Sequence, residues 1–121
     1  MFNSTKITDL SPAEVKQLLD REQIVLIDVR EPSEFAAERI HGALNFPLST
    51  FDPDAVRVSA ERPVVFQCGS GKRSATAVQR CQAAGLKVDA HLKGGIGAWR
   101  AAGLPTIAFD PATGVLRDPE A

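Results

Sequence analysis

Two short runs, Ile24-Val25-Leu26-Ile27 and Val64-Val65-Phe66, are apolar at every position and rich in β-branched residues. A strand with one wet face alternates apolar and polar side chains. A run without alternation suits a sheet covered on both faces, and such sheets are built from parallel strands joined by helices. The intervening pattern agrees. Ser11-Pro12-Ala13-Glu14 reads as a helix start, with Ser11 as N-cap, Pro12 as first helical residue and Glu14 as capping-box partner, while Leu10 and Val15 form a staple. Val15, Leu18 and Leu19 then give an apolar stripe. A second helix is predicted over 74–84, where Ala77, Val78, Cys81 and Ala84 share a face and Gly85 closes the end. Further strands are expected at 6–8, 43–46 and 88–92, a short helix opening at Pro32 or Ser33, a short helix or irregular crossing over 49–58, a turn at Gly94-Gly95, and a last helix over 96–102 ended by Gly103. Strands alternating with helices imply an α/β layer architecture.

At 121 residues the chain suits one domain. We draw it as residues 1–107, followed by a tail, 108–121, whose Pro, Asp and Gly content suggests only partial order. The net charge of −1 gives no reason to expect nucleic acid as a partner. Met1-Phe2-Asn3-Ser4 lacks the basic and apolar regions of a leader, and no apolar run approaches the roughly 20 residues that cross a bilayer. A cytoplasmic location without membrane attachment is therefore expected. Two cysteines, Cys68 and Cys81, are too few for a disulfide framework and fit a reducing compartment. A bridge between them is not expected: Cys81 lies roughly 10 Å up a helix at ~1.5 Å per residue, and bridged Cα atoms stay within about 7 Å.

The chemistry concentrates in Cys68-Gly69-Ser70-Gly71-Lys72-Arg73-Ser74, between a buried strand and a helix. Ligands of open α/β sheets bind beyond the carboxyl ends of the strands, so this loop and Asp28-Val29-Arg30 should share one mouth. Gly69 and Gly71 allow successive N–H groups to curl inward as an anion nest, and the helix start adds unpaired N–H groups. Lys72 and Arg73 add full charges. A thiol there should ionise more readily than a free one. A cysteine after an apolar strand is often only a small core residue, but burial alone needs neither glycines nor cations. Cys81, in the centre of an apolar helix face, is read as such a core residue.

These residues resemble the rhodanese homology family, the sulfurtransferase domain. Its signature Cys-x-x-Gly-x-Arg-Ser is matched by Cys68, Gly71, Arg73 and Ser74. Asp28-Val29-Arg30-Glu31-Pro32-Ser33-Glu34-Phe35 resembles its early motif, and Arg39-Ile40-His41-Gly42-Ala43-Leu44-Asn45-Phe46-Pro47 its second. Gly94-Gly95-Ile96-Gly97-Ala98-Trp99 and Ala102-Gly103-Leu104-Pro105 resemble its closing motif. One departure is Arg39, where the family usually has His; that position is not catalytic in the family. The resemblance implies a three-layer fold with a central, mostly parallel five-stranded sheet flanked by helices. It also implies a sulfane sulfur held on Cys68 as a persulfide, taken from thiosulfate or another small anionic donor and passed to cyanide or a thiol. A thioredoxin-like protein or a cysteine desulfurase would suit as partner, and no cofactor is called for.

On this reading Cys68 is the nucleophile, and the amides of Gly69, Ser70, Gly71, Lys72, Arg73 and Ser74 surround the bound sulfur. Lys72 and Arg73 either steer the donor or face solvent, and Arg73 has the further option of turning back to Asp28 or Glu34. Asp28 and Arg30 are assigned supporting roles, with anion binding a further option for Arg30. His41 and His91 are read as surface or packing residues, not as metal ligands or general bases, and Trp99 as a core anchor. Two rivals are weighed. Phosphatases and arsenate reductases of similar fold have Cys-x5-Arg, whereas four residues separate Cys68 from Arg73, a ring better sized for one sulfur. Binding-only members of the family often lack the cysteine, which is present here.

Overall fold

The two apolar runs lie side by side in the middle of a sheet. The computed structural model describes residues 6–119; Met1-Phe2-Asn3-Ser4, read above for a leader, and the last two residues of the tail lie outside them. The elements in order are β1 (Thr8–Leu10), α1 (Pro12–Asp20), β2 (Val25–Asp28), α2 (Pro32–Ala37), β3 (Glu38–Arg39), β4 (Leu44–Asn45), two 3₁₀ turns (Leu48–Thr50 and Pro53–Ala55), β5 (Val64–Gln67), α3 (Lys72–Ala83), β6 (Ala90–Leu92), α4 (Gly95–Ala101), β7 (Ile107–Asp110) and β8 (Val115–Arg117).

The main sheet has five strands in the order β1-β6-β5-β2-β4, and every pairing in it is parallel. β2 and β5 are central, in register from Val25↔Val64 to Asp28↔Gln67. Alternate residues face opposite layers. Ile27 and Phe66 pack with Ala77, Val78 and Cys81 of α3. Leu26 and Val65 pack with Val15 of α1 and with Ile96 and Trp99 of α4. Each such fully buried large side chain contributes on the order of 1.5–3 kcal/mol. This is the three-layer α/β arrangement expected. Trp99 is 1% exposed and its indole N–H donates to the Pro105 carbonyl at 2.8 Å, so it anchors the core.

The capping box of α1 forms as read: the Glu14 amide donates to Ser11 Oγ and the Ser11 amide to the Glu14 carboxylate, both at 3.1 Å. Strand limits shift where pairing, not propensity, sets them. The first strand lies at Thr8–Leu10 rather than 6–8, because its partners are Ala90, His91 and Leu92. β4 shrinks to two residues, since only the end of β2 is beside it. α3 begins at Lys72, two residues before the predicted start.

The expected tail is the largest difference. β7 pairs antiparallel with β3 and β8 with β7, making a separate three-stranded sheet. The boundary drawn after residue 107 therefore falls inside β7. The Pro-Asp-Gly composition belongs to the turn of this hairpin, where the Gly114 amide donates to the Asp110 carbonyl at 2.7 Å. No helix among the described residues is long and apolar enough to cross a membrane.

Candidate active site

Cys68 follows β5 directly, and the chain turns at once into α3. The turn is made by Gly71, the N-cap, at φ +104°, where a side chain would be strained. This conformation directs the Gly71 amide at Cys68 Sγ, at 3.0 Å. Ser74, fully buried in the first turn of α3, brings its hydroxyl to 3.6 Å from the sulfur. Cys68 is itself 1% exposed, while Ser70 and Lys72 above it are exposed. The sulfur thus lies at the floor of a loop whose polar hydrogens converge on it.

Burial pushes the Cys68 thiol up, as for any charge taken from water. The Ser74 amide and hydroxyl, the Gly71 amide and the Ser70 amide outweigh burial, and the net shift is downward. Cys81 has the burial without the donors, and its thiol is pushed up to about 11. Both cysteines are free. A populated thiolate is the nucleophilic form, so only Cys68 is prepared for attack.

Not every predicted site residue has the expected role. Gly69 has no positive φ; its need is space, because a Cβ there would lie 3.3 Å from the Arg73 guanidinium. Arg73 turns back and makes a two-pronged bond to Glu34, at 2.6 and 3.1 Å, so it buttresses the loop from α2. This pairing holds the Glu34 carboxyl at about 2. Lys72 stands exposed at the rim. Arg30 is not an open anion site. It is 5% exposed, bonded to both Asp28 oxygens at 2.8–3.1 Å and to the Glu38 carbonyl at 2.6 Å. Asp28, fully buried, also takes the Arg30 amide at 2.9 Å. A buried carboxylate two residues away claims the Arg30 guanidinium, which leaves the anion-binding option without a free donor face; an unpaired charge there would cost several kcal/mol.

α4 supports the loop from behind. The Ile96 amide donates to the Cys68 carbonyl at 2.8 Å, and the Gly97 amide to the Gly69 carbonyl at 3.1 Å. Gly95, at φ +59°, comes so close that a Cβ would stand 2.1 Å from the Cys68 carbonyl oxygen. The sequence reading took Gly94-Gly95 as a turn only. His91, read as a surface or packing residue, is buried, and its bonds were not anticipated: Nδ1 is 2.8 Å from Ser74 Oγ and Nε2 is 2.7 Å from the Asp9 carboxylate. The one available signal was a histidine inside a strand otherwise fit for burial.

The sequence profile of the rhodanese-like domain matches residues 11–102. The chain belongs to the rhodanese-like family. Among similar proteins, the uncharacterized protein slr1261 of Synechocystis is 39% identical over 103 residues, 85% of this chain and 57% of its own length. A protein of Allochromatium vinosum named sulfurtransferase is 36% identical over 93 residues, 77% of this chain and 87% of its own. The crystal structure of a rhodanese-related protein from Thermoplasma volcanium superposes with a TM-score of 0.69 at 26% identity, covering 82% of this chain and 96% of that one. The chain thus spans little more than half of the Synechocystis relative and most of the other two.

Proposed function

We propose that this protein is a sulfurtransferase that carries sulfane sulfur as a persulfide on Cys68. The observation that carries the reading is the Gly71 amide at 3.0 Å from a free sulfur, within a loop that favours its thiolate. In the first step the thiolate attacks the outer sulfur of thiosulfate or a small persulfide. A new S–S bond forms, the donor's S–S bond breaks, and sulfite or a thiolate leaves with the electron pair. In the second, cyanide or a thiol attacks the terminal sulfur and Cys68 departs as thiolate. No external electrons and no cofactor are required. The loop amides stand where negative charge persists throughout, the arrangement that contributes most to many enzymatic rates. Lys72 at the rim would draw in anionic donors. A thioredoxin-like protein or a cysteine desulfurase fits as a protein partner, and two free cysteines suit the reducing cytoplasm.

Intact mass after incubation with thiosulfate tests the reading. The wild type is expected to gain one sulfur atom and to release thiocyanate on adding cyanide, and Cys68→Ser to do neither. A wild type that gains no sulfur from thiosulfate or glutathione persulfide, or a Cys68→Ser variant that does, overturns it.

A further inference from the structure

Asp9 and His91 are register partners on neighbouring parallel strands, β1 and β6. His91 faces the α3 layer, as does its other register partner Phe66 on β5. Its ring is 7% exposed, and both nitrogens are bonded to oxygen. The two bonds satisfy a buried imidazole and at the same time join Ser74 to Asp9 through it. Donors and acceptors fix the direction of the chain. The Asp9 carboxylate only accepts, so the neutral ring carries its hydrogen on Nε2 and leaves Nδ1 as an acceptor. The Ser74 hydroxyl, which also lies 3.1 Å from the Gly71 carbonyl, then gives its one hydrogen to Nδ1 at 2.8 Å, because that nitrogen has no other donor among the described residues, and its oxygen accepts the Cys68 thiol proton, 3.6 Å away. Cys68, Ser74, His91 and Asp9 form a continuous line, one residue from each of the β5 loop, α3, β6 and β1.

We propose that His91, oriented by Asp9, is a positioning residue that stores the Cys68 proton, received through Ser74, while the sulfur is ionised. The thiol proton passes to Ser74 Oγ as the Ser74 proton passes to His91 Nδ1. The products are a thiolate hydrogen-bonded by Ser74 and an imidazolium bonded to the Asp9 carboxylate. One proton leaves sulfur, one arrives at nitrogen, and no bond between heavy atoms changes. Histidine suits the task because its ring can hold a hydrogen on one nitrogen or on both. Among the described residues, the titratable groups bonded to the ring are Asp9 from β1 and, through Ser74, Cys68 from the β5 loop; from the start of α3 uncharged Gly71 lies near the ring edge, where a Cβ would come within 3.7 Å of it. Arg73, next to Ser74 in sequence, is committed to Glu34. The inference rests on Cys68 being the sulfur carrier, but its test does not need sulfur transfer.

The rate of Cys68 alkylation by iodoacetamide is measured against pH in a Cys81→Ala background. His91→Asn keeps an amide to bond Ser74 but takes up no proton. Asp9→Asn removes the carboxylate at a half-exposed position that the core does not use. In both, the midpoint of the thiolate curve is expected to rise, by about one pH unit in His91→Asn, with about tenfold slower alkylation below it. In a Ser74→Ala background the His91 effect should vanish. Unchanged midpoints in the folded variants, or a His91 effect undiminished without Ser74, overturn the proposal; should His91→Asn not fold, Asp9→Asn decides. A shifted alkylation profile with no sulfur loading would sink the sulfurtransferase reading and leave the relay standing.

Discussion

Cys68 and Cys81 have the same side chain and nearly the same burial, yet opposite shifts, so hydrogen-bond donors rather than solvent access decide which is reactive. The loop that supplies those donors is held by the Arg73–Glu34 pair, and its strength depends on pH. Glu34 ionises at about 2 in the folded chain against an ordinary 4.5. A carboxyl lowered by folding stabilises the native state above its unfolded value, and the contribution disappears as pH falls through the folded one. Both side chains are more than a third exposed, so solvent screening limits the pair to about 1 kcal/mol or less. Glu34→Gln should therefore melt a few degrees below wild type at pH 7, and the gap should close between about pH 4.5 and 2. A gap that stays constant across that window, followed by thermal melts, would place the origin of Glu34's effect elsewhere.

Between elements, the contact that shapes the site is α4 against the Cys68 loop. Gly95→Ala would force a methyl into the Cys68 carbonyl and place a side chain at φ +59°, so the loop must shift. Overpacking of this kind costs on the order of 1–3 kcal/mol, and the displaced amides should slow Cys68 alkylation by about tenfold or more. Gly103→Ala is the matched control. It has φ +76° with nothing within 4 Å, so it should cost only about 1 kcal/mol of backbone strain and leave Cys68 unaffected. Equal alkylation rates in the two variants would show that the close approach does not matter. This contact also marks the limit of what the sequence disclosed. Buried strands, the Ser11 cap and the Cys68 loop are written in consecutive residues, and they were legible. The seating of Gly95 on Cys68, the capture of Arg30 by Asp28 and the alignment of Asp9, His91 and Ser74 exist only once strands are paired. Beyond a histidine placed in a buried strand, local pattern carries no trace of them, and the anion-binding option for Arg30 was left open for that reason.

At the scale of the whole molecule, the hairpin of β7 and β8 connects indirectly to the mouth of the sheet. β7 pairs with β3, with Glu38↔Ala108 and Arg39↔Ile107 in register. The Glu38 carboxylate accepts from Arg100 at 2.5 Å and from Thr106 at 2.6 Å, and its carbonyl accepts from Arg30, which holds Asp28. His41, in the turn before β4, is 2.9 Å from Asp118 just beyond the hairpin. Phe109 and Leu116 meanwhile wall an open groove with Ala36 and Ala37 of α2. Ending the chain at Thr106 would remove the β3 ladder and this wall, while the bonds to the Cys68 loop from Glu34, Ile96 and Gly97 all lie outside the removed segment. Each lost backbone hydrogen bond costs about 1 kcal/mol, so the truncated protein should lose on the order of 2–3 kcal/mol to urea unfolding. Its Cys68 alkylation rate at neutral pH should stay within about twofold of the full chain, because the Asp28–Arg30 pair is bonded within itself and survives the loss of one neighbour. An unchanged urea midpoint would mean that the hairpin only rests on β3. A collapse of alkylation would mean that support reaches the sulfur through β3, Arg30 and Asp28, making the second sheet part of the site.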